Sequence, residues 1–185
     1  MFYVGVINKA MKKKKDITDN TGVVYDVVIT ASSRGVGTLY YYSLSFSGSD
    51  GKSFQGRRFG KDYELYGSGE KLFSASKKHS QYQFYYEDEP LFSFHDFRLT
   101  KKEIELNFDG LVLIRTGHLS YEIRDRYNQV LALMHDSLIT LSVLKKSAGR
   151  CVTIFDEDYT EAFLMIATWL YSRKLQEREP SPDPR

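Results

Sequence analysis

Residues 156–174, near the C-terminal end, constrain the fold of this chain more than any other stretch. From 162 to 171 every side chain is apolar except that of Thr168, and no polar stripe recurs at helical spacing. A helix that is apolar all round is buried on all sides, either in a large core or in a membrane. Because a membrane crossing needs about 20 apolar residues, this shorter run predicts a buried core helix over about 157–174.

The two ends of this segment carry the charges expected of helix termini. The first turn is acidic and the last residues are basic: Asp156, Glu157, Asp158 and Glu161, then Arg173 and Lys174. Both groups suit the helix dipole. Asp158 followed by Glu161 also has a spacing close to that of a capping box, which predicts Asp158 as the cap.

The large apolar side chains of this helix need a surrounding structure, and the rest of the chain is rich in strand-forming residues. Their burial would contribute on the order of 10–18 kcal/mol as an upper bound. Aromatic residues make up 15% of the chain, with 14 Tyr and 12 Phe, and these residues favour half-buried strands. Three of the four prolines lie in the last six residues, so the body of the chain has few strand breakers.

Three segments in the middle of the chain repeat one pattern. Each has an alternating strand that starts with tyrosine, then a polar turn and a second strand: 63–65 with 72–75, 82–84 with 91–94, and 121–123 with 130–133. The common spacing predicts three β-hairpins of one length. The Asp-Gly pair at 109–110 predicts a tight turn in a further hairpin, with strands over 103–108 and 111–115.

Further alternating or apolar runs predict the remaining strands. They lie at 2–7, 23–30, 38–46, around 54, 138–144 and 151–155, with a turn at 19–22 and a flexible loop at 32–37. The pattern amounts to roughly twelve to fourteen short strands, and a closed barrel would leave no sheet edge exposed. A barrel of about twelve strands has a lumen that needs filling, and a helix about 10 Å across fits that space.

The sequence therefore predicts a mainly β protein: a closed, roughly twelve-stranded antiparallel β-barrel around a buried apolar C-terminal α-helix. We expect a single domain over 1–174. The last residues, 175–185, are polar and rich in proline and charge, and they are predicted to be a disordered tail because they have little to bury.

This pattern resembles the tubby-like barrel group, which includes tubby C-terminal domains, plant LURP-one-related proteins and phospholipid scramblases. The resemblance rests on the short hairpins that end in the strand Cys-Val-Thr-Ile-Phe at 151–155, which leads directly into the apolar helix. The turns at 19–22 and 125–128 are also similar to the Asp-x-x-Gly strand pairs of the group. The resemblance implies a twelve-stranded barrel, no catalytic centre, and binding of phosphoinositides or other membrane phospholipids.

The chain lacks the local motifs of common enzymes and metal sites. Its histidines are His79, His95, His118 and His135. None has a partner at metal-binding spacing, and none lies near Cys151. The His-Asp pairs at 95–96 and 135–136 are interpreted as the ends of hairpin strands. A nucleophile elbow and a phosphate loop are absent. We therefore expect a protein that is not an enzyme and needs no metal or cofactor.

Basic clusters are the one surface feature with a candidate function. They fall at predicted turns or loop edges: Lys12, Lys13, Lys14, Lys15, Arg57, Arg58, Lys77, Lys78, Lys101, Lys102, Lys145 and Lys146. If several share one barrel end, they form a cationic patch for phosphate groups, with each charge worth about 1 kcal/mol near an anionic membrane. The alternative is that hairpin tips are rich in lysine for solubility. The net charge of +2 is too small to predict nucleic-acid binding.

These observations favour a cytoplasmic, non-enzymatic module that binds anionic phospholipid headgroups peripherally at the membrane surface. No signal peptide is recognisable, and a single cysteine cannot form an internal disulfide. One alternative is a scaffold barrel that binds a protein partner through its aromatic-rich loops. Another is a hydrolase or lipid-transfer protein that uses a pocket. Convergence of the basic clusters on one face is the feature that distinguishes the first two functions.

Overall fold

The computed structural model describes residues 22–34, 39–96, 102–117, 120–135 and 150–178. Within these ranges twelve strands form one antiparallel sheet: β1 (Val23–Arg34), β2 (Leu39–Gly48), β3 (Ser53–Phe59), β4 (Asp62–Gly67), β5 (Glu70–Lys78), β6 (Gln81–Tyr86), β7 (Glu89–His95), β8 (Glu103–Glu105), β9 (Val112–Arg115), β10 (Ser120–Arg124), β11 (Val130–His135) and β12 (Arg150–Ile154). A 3₁₀ turn (Glu157–Tyr159) leads into the helix α1 (Thr160–Arg178).

The sheet is joined through the pairing of the first and last strands. β1 pairs with β2 on one side and with β12 on the other. From this junction the strands follow in order to β7 in one direction and back to β8 in the other. The result is a nearly closed barrel, so the predicted mainly β, twelve-stranded antiparallel fold is confirmed.

Among the described strands, β7 and β8 are the two edges of the sheet, and side chains bridge the seam between them. The amide Nδ2 of Asn107 donates to the carbonyl oxygen of Ser93 at 3.0 Å. The rings of Phe92 and Phe108 stack with their centroids 5.3 Å apart. Pro90, which has no backbone donor, lies on β7, and an edge strand is where a sheet tolerates proline. Side chains therefore close the barrel here in place of a backbone ladder.

The helix α1 occupies the barrel interior. All side chains from 162 to 172 are buried, and those of Leu164, Ile166 and Trp169 are 0% exposed. α1 packs against β2 to β5 and against β12. The strands present alternate residues to it, because successive side chains of a strand point to opposite faces. The predicted burial of this helix on all sides is confirmed.

Both ends of the helical segment differ from the prediction. Asp156 is the cap, since its Oδ1 accepts a hydrogen bond from the N–H of Asp158 at 3.2 Å. The 3₁₀ turn starts the helical path before α1, and this moves the cap two positions upstream of Asp158. At the other end α1 continues to Arg178, beyond the predicted limit at 174. Leu175 packs against the core, and this apolar contact stabilises the helix beyond residue 174.

The repeated hairpins of the sequence are β4–β5, β6–β7 and β10–β11, and they share a structural detail. In each hairpin the pairing register shifts by one residue at a β-bulge. The extra residue is a leucine in every case: Leu72, Leu91 and Leu131. A bulge bends its strand and increases its twist. The sequence repeat therefore encodes three equivalent bends of the barrel wall.

The third hairpin is one residue longer than the other two, so the predicted common length is wrong. Tyr63 pairs with Ala75, whereas Tyr121 pairs with Met134. The turn explains the extra residue. Oδ1 of Asp125 accepts hydrogen bonds from backbone N–H groups within the turn, at 2.8–2.9 Å, and this supports a longer connection than the two-residue turns of the other hairpins.

One predicted loop is in part a strand. The chain was expected to form a loop over 32–37, but β1 continues to Arg34, which pairs with Leu39 of β2. The partner strand therefore extends β1 beyond the limit that its own sequence suggests. The predicted strands at 2–7 and 138–144, the turn at 19–22 and most of the predicted tail lie outside the described residues.

Candidate anion-binding end of the barrel

The two ends of the barrel are defined by the direction of the chain. The odd-numbered strands finish at one end and the even-numbered strands start there, because all neighbours are antiparallel. At the other end of the barrel, the chain leaves β12 and passes through the 3₁₀ turn into α1. From there α1 runs toward the end where the odd-numbered strands finish. We call the end where α1 starts the entry end, and the end where it finishes the exit end.

Charged side chains are segregated between these two ends. Basic residues in the turns, near the strand ends or on α1 at the exit end are Arg57, Arg58, Lys61, Lys77, Lys78, Lys102, Arg115, Arg150, Arg173 and Lys174, against the acids Asp62, Glu64, Asp96 and Glu103. At the entry end the acids are Asp50, Glu70, Glu87, Asp88, Glu89, Glu105, Asp109, Asp125, Asp156, Glu157, Asp158 and Glu161, against Lys52, Lys71, Arg124 and Arg126. In the described part of the chain, the exit end is basic and the entry end is acidic.

The described members of the predicted basic clusters all lie at the exit end. They are Arg57 and Arg58 near the end of β3, Lys77 and Lys78 at the end of β5, and Lys102 just before β8. The remaining predicted residues lie outside the described residues: Lys12, Lys13, Lys14, Lys15, Lys101, Lys145 and Lys146. The described clusters thus converge on one end of the barrel, which sequence alone could not establish.

The predicted pair Arg57 and Arg58 lies inside β3, whereas Lys77 and Lys78 are the last two residues of β5, and these positions decide what each side chain can contact. Neighbouring side chains of a strand point to opposite faces. Arg58 and Lys77 therefore face the interior, while Arg57 and Lys78 face outward. Each pair supplies one cation to the interior and one to the outer surface, so neither is a double surface charge.

Arg58 is buried in the barrel wall, contrary to the predicted surface position. Its side chain is 7% exposed. Its Nε donates to the carbonyl oxygen of Gly60 at 3.0 Å. The guanidinium carbon lies 5.1 Å from the ring centroid of Tyr63 and 5.7 Å from that of Tyr42, within the range of cation–π attraction. These contacts position Arg58 between two inward tyrosines and make it a part of the core.

Arg57 is held on the outer wall. Its Nη2 donates to Oε1 of Gln55 at 2.9 Å, and its guanidinium lies over the ring of Tyr66 at 4.5 Å. The hydroxyl of Tyr66 in turn donates to Glu64 at 2.8 Å. Arg57 therefore belongs to a polar network on the outer face of β3 and β4.

Lys77, Asp96 and Arg173 form a cluster at the exit end that we call the bridged triad. Lys77 pairs with Oδ2 of Asp96, and Arg173 pairs with Oδ1 of the same carboxylate. The three side chains are 26%, 21% and 14% exposed, in that order. The ring of Tyr82 lies 5.6 Å from Nζ of Lys77 and 5.9 Å from Cζ of Arg173, and Trp169 lies 5.7 Å from Cζ of Arg173. The cations are thus shielded by aromatic rings but remain accessible to solvent.

The environment of Asp96 keeps its carboxylate charged. Burial by itself would raise the pKa of Asp96, but hydrogen bonds from Lys77 and Arg173, together with the charges of both, hold it below its ordinary value. The carboxylate is therefore ionised at neutral pH. It cancels one of the two positive charges, so the triad keeps a net positive charge.

We expect Asp96 to contribute stability that depends on pH. Because its pKa is lower in the folded than in the unfolded protein, the contribution is complete above about pH 4 and disappears as the pH falls through the folded value. Asp96→Asn should therefore lower the melting temperature at pH 7, and its difference from the wild type should shrink toward pH 2. Asp62→Asn, at an exposed acid of the same barrel end, is the control. A difference that stays constant with pH would contradict this role.

Sequence reasoning missed the triad because its members are far apart in the chain. Asp96 was interpreted as a hairpin end and Arg173 as a charge that suits the helix dipole. A signal was present in the pairing register, since Lys77 pairs with Tyr82 and Tyr82 pairs with Phe94. Asp96 follows Phe94 by two residues, which places it on the same side of the chain. Predicting that register requires knowing how β5, β6 and β7 align.

Other candidate chemistry is sparse in the part of the chain that the structure describes. There, no group of three or more His, Cys, Asp and Glu residues is arranged to hold a metal ion. Cys151 is half-buried, and burial, followed by the charge of Asp26, raises the pKa of its thiol. A thiol with a raised pKa is a poor nucleophile. The expectation that the protein is not an enzyme stays a prediction from its sequence.

No described helix combines the length and the apolar character needed to cross a membrane. Comparisons with protein-family models, with curated proteins and with solved structures found no match. The resemblance to the tubby-like barrel group therefore stays a prediction from the sequence.

Proposed function

We propose that the protein is a non-enzymatic binding module whose exit end binds anionic phospholipid headgroups peripherally at the membrane surface. The observation that carries this proposal is the segregation of charge along the barrel axis, with basic residues at the exit end and acidic residues at the entry end. The small net charge of +2 does not reveal this separation, because the basic and acidic residues nearly cancel in the sum.

A charge distribution of this kind orients the molecule in an electric field. An anionic leaflet attracts the exit end and repels the entry end, and the attraction is about 1 kcal/mol for each basic residue near the surface. The exposed lysines Lys78 and Lys102 lie at the exit end. Because anionic lipids are concentrated in the cytoplasmic leaflet, the proposal places the protein in the cytoplasm with its exit end toward that leaflet.

The test compares two double variants that remove the same charge from opposite ends. Lys78→Gln with Lys102→Gln neutralises two exposed lysines at the exit end, whereas Lys52→Gln with Lys71→Gln neutralises two at the entry end. We expect the exit-end variant to lose roughly 2 kcal/mol of attraction, about 30-fold in affinity for anionic vesicles. The entry-end variant should bind like the wild type. Co-sedimentation with phosphatidylserine-containing and neutral vesicles measures both.

The dependence on salt provides a second readout. Wild-type binding should weaken steeply as the salt concentration rises, because salt shortens the screening length. Equal losses in the two double variants would indicate a response to total charge and contradict an oriented surface. A wild-type protein that ignores anionic vesicles at low salt would exclude the proposal and leave the protein-binding scaffold as the better hypothesis.

A further inference from the structure

The bridged triad joins three separate elements through one carboxylate. Lys77 comes from the end of β5, Asp96 directly follows β7, and Arg173 lies in the last part of α1. Each oxygen of the Asp96 carboxylate faces a different cation. Two cations from distant parts of the chain are therefore aimed at a single group with two acceptor oxygens.

The geometry that receives this carboxylate also suits a phosphate group. A phosphate presents pairs of oxygens in a similar way, and arginine recognises carboxylates and phosphates through the same donors. Lysine acts on either group as a point charge. The rings of Tyr82 and Trp169 shield the cations on one side, and shielding from water strengthens an ionic contact.

We propose that Lys77 and Arg173 form a phosphate-binding subsite and that Asp96 is its built-in competitor, which an incoming phosphate displaces from both cations. The inference rests on the proposed function only in taking a lipid headgroup as one source of the phosphate. A soluble phosphate monoester or inorganic phosphate is another source with the same chemistry.

Two observations and the chemistry of phosphate support exchange at this position. Asp96 is 21% exposed, so its carboxylate can turn toward solvent when displaced. It stands at the end of β7 and not inside a strand, so a change of its side chain does not require a break in the sheet. A phosphate carries more charge and more acceptor oxygens than a carboxylate, so it can occupy the same donors and also use the net positive charge of the triad.

The experiment measures binding of inorganic phosphate to the wild type and to Asp96→Asn. Trp169 is the single tryptophan of the chain and lies 5.7 Å from Cζ of Arg173, so its fluorescence reports on this site, and calorimetry gives the affinity independently. Removing the competitor should make the binding-competent state dominant and tighten phosphate binding by about tenfold or more. Asp62→Asn, which removes the same charge at the same end, should change the affinity less than about twofold.

A third variant tests whether the gain occurs at the triad. Adding Lys77→Gln to Asp96→Asn should abolish the gain in phosphate binding, because one of the two receiving cations is then missing. A folded Asp96→Asn protein that binds phosphate no better than the wild type would overturn the inference. An equal gain in Asp62→Asn would do the same, since it would reflect net charge only.

Vesicles distinguish the source of the phosphate. A gain of Asp96→Asn with both inorganic phosphate and phosphatidic acid vesicles supports a headgroup subsite. A gain with inorganic phosphate, combined with no vesicle binding by either protein, supports the subsite for a soluble ligand and rejects the proposed membrane function. Vesicle binding by the wild type without any gain in Asp96→Asn keeps the proposed function and rejects the subsite.

If Asp96→Asn is too unstable to fold in buffer, its melting temperature in a series of phosphate concentrations tests the inference. Phosphate that replaces the missing carboxylate binds only the folded state and should raise the melting temperature with its concentration. Asp62→Asn measured in the same phosphate series gives the general effect of the salt. If phosphate raises the melting temperature of Asp96→Asn no more than that of Asp62→Asn, the inference is wrong.

Discussion

Ile166→Asp is expected to prevent folding. Ile166 lies in the middle of α1 and is 0% exposed, with barrel strands around it. A carboxylate there would have neither water nor a cation to compensate its charge, and burying an isolated charge costs far more than the stability of a typical domain. Circular dichroism and size-exclusion chromatography of the purified variant should show no cooperative unfolding transition.

The matched control places the same carboxylate on the outer wall. Val28 lies on β1 and is 63% exposed, so Val28→Asp should change the free energy of unfolding by about 0.5 kcal/mol or less. Leu164→Met tests the interior with a substitution of similar volume and should cost less than about 1.5 kcal/mol. A soluble Ile166→Asp protein with an unchanged melting temperature would show that α1 is not inside the barrel.

Gly56→Ala is expected to destabilise the protein by roughly 1–3 kcal/mol, because it overpacks a close contact between the helix and the barrel wall. Gly56 is an inward position of β3 opposite Thr168 of α1. A Cβ at Gly56 would overlap Oγ1 of Thr168 and would lie 2.8 Å from its Cγ2. Chemical denaturation followed by circular dichroism measures the loss in free energy of unfolding.

A double-mutant cycle tests whether the loss arises from this contact. Thr168→Ala removes Oγ1 and Cγ2, and in the Gly56→Ala background it should restore part of the stability, with a coupling energy of roughly 0.5–3 kcal/mol. Gly117→Ala is the control, since the nearest atom to its added Cβ would be 3.8 Å away. Additive effects of Gly56→Ala and Thr168→Ala would mean that the helix does not approach β3 this closely.

Thr168 also shows how a local pattern can hide a structural requirement. In the sequence it is the one polar residue of an apolar run. In the structure its Oγ1 donates to the carbonyl oxygen of Leu164 at 2.9 Å, so the hydroxyl is satisfied within the helix. The threonine side chain is small enough to pack against Gly56 of β3. The apolar pattern predicted burial correctly, but only the packing shows that this side chain faces Gly56 of β3.

The basic clusters show the same limit for the candidate site. Their positions in the sequence predicted charges on turns, and the structure places the described ones at one barrel end. It also turns Arg58 and Lys77 inward, because alternation along a strand separates neighbours onto opposite faces. The described clusters therefore offer fewer exposed basic side chains to a membrane than the sequence pairs predicted. Lys78 and Lys102 are exposed and are the better targets for mutation.

The sequence by itself determined the local features of this protein: the buried helix, the alternating strands, the repeated hairpins and a strand count suited to a barrel. These follow from periodicity and turn chemistry within short segments. The tertiary structure decided what depends on register between distant segments, namely the seam between β7 and β8 and the bridged triad. Asp96 and Arg173 are 77 residues apart, and a contact of that separation is set by how the whole barrel wraps around α1. No local pattern carries that information, because each strand would alternate in the same way in any register that keeps its apolar face inside.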